Sequence, residues 1–502
     1  MTFIEYKSLT PTQQVIYKIK EFFSLLPGRI RAFFAAIGKF FKNIGVAFAN
    51  GLKGYGQRFS KGDGSTKLSY LVMGFGNLTR GQVGKGLAFL AAEVLYFIFM
   101  WNFGLVYLNK FDTLGTVQSH QEINPATGRP QLVPGDNSML ILLYGTMSIL
   151  ITIVFIFVYV ANTKSAYEAE QTQKAGKKTL TLKEELADFL DGKYHVTLLA
   201  TPVLLISVFT ILPLVFMILI AFTNYDRSHV PPGNLFTWVG LQTFRDVFKV
   251  SEGASKGYTF VQLTKWTVVW AIFATFTNYI IGMVLALMIN KKSIKLKALW
   301  RTLFVITIAV PQFVSLLLMQ QILQDDGPMK IILGPDGLGL VGADFSFFNS
   351  TALVARVTVI IINMWVGVPY TILQTSGILM NIPEDLYESA RIDGATPVVQ
   401  FFQITLPYML FVTTPYLIQT FVGNINNFNV IYLLTNGGPS TPDLYQAGQT
   451  DLLVTWLFKL TMDSNDYNTA AAVGILVFIV CATLSLITFN LSKSSRNEEE
   501  FS

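Results

Sequence analysis

The chain alternates between long runs of apolar residues and short polar stretches. Eight runs are long enough to cross about 30 Å of hydrocarbon as helices, near residues 87–108, 139–161, 196–222, 266–289, 302–323, 354–380, 408–434 and 469–491. One polar stretch between them, residues 383–407, carries the signals of folded helices. Asn381 can cap a helix whose first turn holds Pro383, Glu384 and Asp385, and Gly394 is placed to stop it. Thr396 then caps a second helix with Pro397 in its first position, which runs through Val399, Phe401, Phe402 and Ile404 until Pro407 ends it. The pattern predicts an all-α polytopic membrane protein with a helix-turn-helix between its sixth and seventh spans.

Composition supports that class. Of the 502 residues, 52% are hydrophobic and 14% charged, and mean hydropathy is +0.47, values of a membrane protein rather than a soluble one. The net charge of +6 does not point to nucleic acid, because the basic residues flank apolar runs, where orientation in a membrane explains them. The loop holding Lys291, Lys292, Lys295 and Lys297 has no acid, whereas residues 324–350 carry Asp325, Asp326, Asp336 and Asp344 against Lys330 alone. The first loop is therefore expected in the cytoplasm and the second outside. Counting spans from there puts the N-terminus, residues 162–195, residues 383–407 and the 492–502 tail in the cytoplasm.

Residues 1–67 hold eleven Lys and Arg against three acids, interleaved at helical spacing with Phe22, Phe23, Ile30, Phe33, Phe34, Ile37, Phe40 and Phe41. That predicts an amphipathic helix on an anionic membrane surface, followed by a linker over 51–67. The one cysteine, Cys481, and the widely separated His120, His195 and His229 offer neither a disulfide nor metal-ligand spacing. No metal site is expected.

Polar groups inside spans are costly and mark function where they cluster. Asn363, Gly367 and Tyr370 recur at intervals of four and three, so they share one face of the sixth span. A sugar suits that face: the glycine admits close approach, the amide donates and accepts, and the phenol offers a flat apolar surface with a polar tip. Asn424 and Asn427, with Asn426 and Asn429 beside them, add amides in the seventh span. These must meet a ligand, water or another helix, and gluing helices together is the alternative use. Glu93 and Arg356 are expected near an interface or paired with a neighbour.

Residues 383–407 resemble the EAA loop of ABC-importer permeases. Glu388, Ser389 and Ala390 are followed at the family's spacing by Gly394 and then by Ile404, Leu406 and Pro407, with only Ser389 departing. The segments Phe222 to Tyr225, Val239 to Phe244 and Leu433 to Pro439 are similar to the larger, first permease subunit of maltose and maltodextrin importers.

The resemblance implies a type I permease core of six helices over 196–491, preceded by two extra spans and a cytoplasmic linker over 68–195. It implies that Glu388, Ser389, Ala390, Asp393 and Gly394 form a coupling helix for a separate ATPase subunit. The implied partners are two ATPase subunits, a second homologous permease and an extracytoplasmic sugar-binding protein. ATP and Mg would be held by the ATPase, no cofactor by this chain, and the setting would be a bacterial plasma membrane. A neutral oligosaccharide would meet Asn363, Gly367, Tyr370, Asn424 and Asn427, with Gln312 contributing from the fifth span beside Pro311, which can kink that helix.

Two features depart from the family pattern: residues 223–265 are too short for a large extracytoplasmic domain, and Ile308 stands where an aromatic residue is often found. The chain has no G-x-x-x-x-G-K-[ST] loop, so it is not expected to be an enzyme. An ion-coupled secondary sugar transporter, the alternative, would need carboxylates within the membrane and an inverted repeat. A membrane-bound enzyme would need a nucleophile with its base, or a carboxylate cluster, for which Asp325 and Asp326 are the nearest candidates.

Overall fold

The computed structural model describes residues 11–491, apart from 125–127, 181–182, 185–186, 188–189, 193, 252 and 292. The 492–502 tail, the first ten residues of the basic segment and the side chains of its apolar stripe over 22–41 lie outside the description. Chain contacts divide the molecule into two units, one of residues 1–224 and 228–238, the other of 225–227 and 239–502. Among the described residues seven helices are long and apolar enough to cross a membrane, and a helix pair bent by 89° brings the number up to eight if it is counted as one span.

The first unit begins with α1 (Pro11–Lys61) and the short α2 (Gly64–Leu68) and α3 (Phe75–Leu78). Three candidate spans follow, α4 (Val83–Leu108), α5 (Ser138–Lys174) and α6 (Tyr194–Ile220). The apolar residues of α6 are almost uniformly solvent-facing within the unit: its most apolar stretch buries nothing. Such a helix gains stability only from lipid or another chain.

A buried polar node ties α2 and α3 to α5. Arg80, 7% exposed, donates to both oxygens of Asp63 (2.6 and 2.7 Å), to Thr66 Oγ1 (2.9 Å) and to the carbonyls of Gly76 and Ala166. Glu170 of α5 lies 3.8 Å from the guanidinium and accepts from the Asp63 amide and the Thr66 hydroxyl. About two turns earlier on α5, Asn162 accepts from the Gly74 amide and donates to the Ser69 carbonyl. Glu93 is paired as expected, accepting from the Met73 amide at 2.8 Å.

Between α4 and α5 lies an antiparallel hairpin, β1 (His120–Ile123) with β2 (Pro130–Val133), in which His120 faces Val133. Asp136 anchors its base. It accepts from Lys110 Nζ at 2.6 Å and from the amides of Thr116 and Val117 at 2.9 and 3.1 Å. The Lys110 bond leads, burial opposes it, the two amides add to it, and the carboxyl is held below the usual aspartate range. A carboxyl with a depressed folded pKa contributes stability that is present above the unfolded pKa and is lost as pH falls through the folded one. Exchange of the Thr116 and Val117 amides, corrected for intrinsic rates, should therefore stay flat down to about pH 4 and rise below it. Asp136→Asn should remove that step. A rise already near neutral pH would contradict this anchoring.

The second unit holds α7 (Gln242–Phe248), α8 (Lys256–Asn290), α9 (Lys297–Ala309), α10 (Gln312–Leu323), α11 (Pro328–Leu333) and α12 (Ala352–Leu379). After these come α13 (Glu384–Ile392), α14 (Pro397–Ile425), α15 (Phe428–Thr435), α16 (Leu453–Met462) and α17 (Tyr467–Leu491). Its two largest apolar cores gather residues from most of these helices. One gathers Leu263, Ile425, Trp456, Leu460 and Val473 from α8, α14, α16 and α17. The other gathers Trp270, Leu316, Val359, Ile362 and Ile431 from α8, α10, α12 and α15.

Four expectations need correction. Residues 51–67 are mostly helical where a linker was expected, because α1 runs to Lys61 and α2 starts at Gly64 with Thr66 buried. Pro383, not Asn381, is the N-cap of α13, because Asn381 still donates to the Ile378 carbonyl at the end of α12. Pro407 does not end a helix. A π-helical turn over Phe401–Thr405 places it in the first turn of the α-helical segment that continues as α14, where a missing N–H breaks no bond. The seventh span is likewise not one helix over 408–434, since it stops at Ile425 and restarts at Phe428. The kink expected at Pro311 is present as the 89° break between α9 and α10.

Candidate functional site

Four helices of the second unit and the break before α15 enclose a cavity of about 210 Å³. Asn363, Gly367, Tyr370 and Thr371 line it from α12; Thr275, Asn278 and Tyr279 line it from α8. Gln312 comes from the first turn of α10, directly after the Pro311 break, Tyr416, Thr420 and Asn424 from α14, and Asn427 from the break before α15. All six residues singled out in the sequence for a ligand thus surround one space. None of the lining side chains carries a charge.

The amides divide into two groups by hydrogen bonding. Asn424 is largely occupied by the protein. Its Nδ2 donates to Thr275 Oγ1 at 3.0 Å, its Oδ1 accepts from Asn427 Nδ2 at 3.3 Å, and its carbonyl accepts from the Trp270 indole at 3.1 Å. Asn427 caps α15, accepting from the Val430 amide. These two therefore do not sit as neighbours on one uninterrupted helical face; they hold a helix break in place and satisfy backbone groups it exposes.

Asn363 and Asn278 differ. Asn363 is 4% exposed, and its Nδ2 has no hydrogen-bond partner. Asn278 Oδ1 is also buried and unpartnered. A buried polar atom left unpaired costs about 1–3 kcal/mol. One orphaned donor and one orphaned acceptor on the wall of the same cavity are the complement of a hydroxyl group, which both accepts and donates.

Gly367 makes room for this. A Cβ at that position would stand 2.2 Å from Asn278 Nδ2 and 2.8 Å from its Cγ. The glycine thus admits a side-chain amide from the facing helix, where the sequence suggested a ligand or a backbone.

Sequence reasoning missed Asn278, Thr275, Tyr416 and Thr420. The signal was present in part: Tyr416, Thr420 and Asn424 recur every four residues, and Thr275 and Asn278 are three apart. Ile308, in the short turn ending α9, is not among the lining residues. Arg356 lies away from this cavity, donating through Nε and Nη2 to the Gln449 carbonyl and stacking over Trp266.

The helix-turn-helix presents a second surface. Gly394, at φ +75°, reverses the chain after α13, and the Ala395 amide donates back to the Ala390 carbonyl at 2.8 Å. Thr396 caps the next helix through the Val399 amide. Tyr387 bonds Thr405 at 2.9 Å and fixes α13 against the base of α14. This leaves Glu388, Ser389, Asp393 and Gly394 exposed and Ala390 half-buried. Ile392 is 86% exposed, an unusual position for an isoleucine beside acids unless another surface covers it. Glu388 has no ionic partner among the described residues.

Comparison with known proteins follows the same lines. The family model described as the binding-protein-dependent transport system inner membrane component matches residues 278–496. The maltodextrin transport system permease protein MdxF of Bacillus subtilis is 33% identical over 435 residues, covering 86% of this chain and 95% of that protein. The galactooligosaccharides transport system permease protein GanP of the same organism is 34% identical over 430 residues, covering 85% and 97%. The maltose/maltodextrin transport system permease protein MalF of Escherichia coli is 35% identical over 279 residues, covering 54% of this chain and 52% of that protein. Spans broken around a polar cavity, an exposed helix-turn-helix and relatives matched over most of their length lead to one assignment: the chain is a multi-pass membrane permease of the binding-protein-dependent transport system inner-membrane family.

Proposed function

We propose that this permease carries a neutral oligosaccharide, of the maltodextrin type, into the bacterial cell as one half of an ATP-driven importer. The observation that carries the reading is the uncharged cavity with its orphaned amide pair. A phosphate ester, an amino acid or a metal ion would call for a charged wall; a sugar hydroxyl fits the donor and acceptor present. Tyr370, 44% exposed, and Tyr416 supply flat surfaces for a ring. The relatives' names include both maltodextrins and galactooligosaccharides, so neutral oligosaccharide is the shared class.

ATP with its Mg is bound and hydrolysed on two copies of a separate subunit, and a second, homologous permease completes the pathway. An extracytoplasmic binding protein delivers the sugar. The exposed ridge of Glu388, Ser389, Ala390, Asp393 and Gly394 seats in the ATPase, on the cytoplasmic side together with both termini. Closure of the ATPase pair draws this ridge inward and turns the cavity outward; hydrolysis returns it. Sugar shifts that equilibrium only through its different affinity for the two states. The cavity wall holds no carboxylate for an ion-coupled cycle.

The test is uptake and ATP hydrolysis in proteoliposomes containing the assembled importer. Maltodextrin should stimulate hydrolysis in the wild type, and Glu388→Lys should remove the stimulation while the subunits still co-purify. Indifference to every neutral oligosaccharide, or uptake without the ATPase subunit, would sink the reading.

A further inference from the structure

A second cavity, of about 700 Å³, opens along the second unit between the first halves of α8 and α12. Its chemistry is graded along the helices. At one end lie Lys265 and Arg356 with Trp266; beyond them the walls are apolar, with Phe273, Val357 and Ile361, except for Thr277. We infer that this groove is a binding site for an anionic phospholipid, whose phosphodiester meets Lys265 and Arg356 and whose acyl chain fills the apolar slot.

Charge is the first argument. Neither Lys265 nor Arg356 has an acidic partner among the described residues. Arg356 is held rather than neutralised: Nε and Nη2 donate to the Gln449 carbonyl at 3.0 and 2.8 Å, and the guanidinium lies 4.5 Å over the Trp266 ring. The indole is itself fixed by a 3.0 Å bond to the Thr450 carbonyl. A carbonyl and an aromatic face orient a guanidinium but leave its charge uncompensated. A fixed guanidinium and a neighbouring lysine at the head of a hydrocarbon slot call for one compact anion with acceptor oxygens, which a phosphodiester provides.

Depth is the second argument. Lys265 is in the third turn of the 35-residue α8 and Arg356 in the second turn of the 28-residue α12. At about 1.5 Å per residue both helices exceed the ~30 Å hydrocarbon thickness, so these turns lie at headgroup level, where tryptophan also concentrates. The slot beyond points into the acyl region. Phe273, Val357 and Ile361 are 48%, 46% and 55% exposed, a surface that an acyl chain can cover. A helix of the second permease would cover the same apolar positions but would leave both cations unpaired unless it brought an acid.

The experiment uses the assembled importer in nanodiscs of mixed phosphatidylglycerol and phosphatidylcholine, extracted gently and weighed by native mass spectrometry. The wild type should retain phosphatidylglycerol in preference to phosphatidylcholine. Lys265→Glu should lower that preference by at least about fivefold, the change expected when one basic residue is lost at an anionic surface. Val357→Trp, which fills the slot and leaves the charges alone, should also release the lipid. Arg356 is left intact because it ties α12 to the Gln449 loop. Unchanged retention in both variants overturns the site. So does efficient cross-linking of Ile361→Cys to the second permease in the assembled complex, because the groove is then covered by protein.

Discussion

Gly367→Ala is expected to lower oligosaccharide transport by at least tenfold without preventing assembly. The added methyl would stand 2.2 Å from Asn278 Nδ2, closer than any real contact, so the amide must swing into the cavity. With only about 210 Å³ available, the displaced amide removes both volume and the buried acceptor. Asn278→Ala alone should cost about 1–3 kcal/mol of interaction with a hydroxyl, roughly 5- to 150-fold. The double variant decides the mechanism. If the glycine acts by admitting Asn278, Gly367→Ala with Asn278→Ala should be no worse than Asn278→Ala by itself, a non-additivity expected of neighbours. Fully additive losses in KM and maximal rate would show that the methyl acts on something else. Sugar-stimulated ATP hydrolysis, titrated against maltodextrin, provides both quantities.

Arg80→Ala should be the most destabilising single change in the first unit. It strips Asp63, Thr66 and two carbonyls of a buried donor and leaves Glu170 near an uncompensated charge. Breaking a buried pair by removing one partner costs about 3–5 kcal/mol, and the lower end applies here because Lys174 still bonds Glu170. The thermal midpoint of the purified permease should fall accordingly. Glu170→Gln in the same chain should recover part of the loss, since it removes the charge that Arg80 had balanced. An unchanged midpoint in Arg80→Ala would mean that the node orients α2 and α3 without stabilising them.

How much of this could be read in advance depended on the range of the interaction involved. Span positions follow from local hydropathy, and α5, α8, α12 and α17 contain the runs expected of them. The turn at Gly394 and the cap at Thr396 also depend on near neighbours. The ends of helices next to Pro383 and Pro407 were harder, because a proline can open a helix as well as close one. Here the preceding π turn decides, and that turn has no local sequence signature.

In the site, Asn363, Gly367 and Tyr370 were visible because they lie on one face of one helix. Asn278 was not, because its significance arises only when α8 and α12 face each other and Gly367 leaves a gap. The amides of Asn424 and Asn427 were visible as unusual, yet their hydrogen bonds to Thr275 and the α15 backbone are tertiary facts. The Arg80 node was invisible for the same reason. Its members are scattered over residues 63–170, and the contacts that join Arg80 to Asp63, Ala166 and Glu170 span 17 to 90 residues of chain.

The two interruptions at Pro311 and at Asn426–Asn427 also give the cavity its mechanics. A continuous helix resists bending because each turn must surrender ladder hydrogen bonds, and α8 runs past the cavity with no break and no internal proline, whereas α12, though continuous, carries Pro369 between Gly367 and Tyr370. At the starts of α10 and α15 that cost has already been met, so rotation there needs little further energy. The enclosure therefore has one stiff post, α8, and two hinged shutters. A change at the ends of α10 and α15 can alter the width of the cavity while α8 keeps Thr275, Asn278 and Tyr279 in place along one wall.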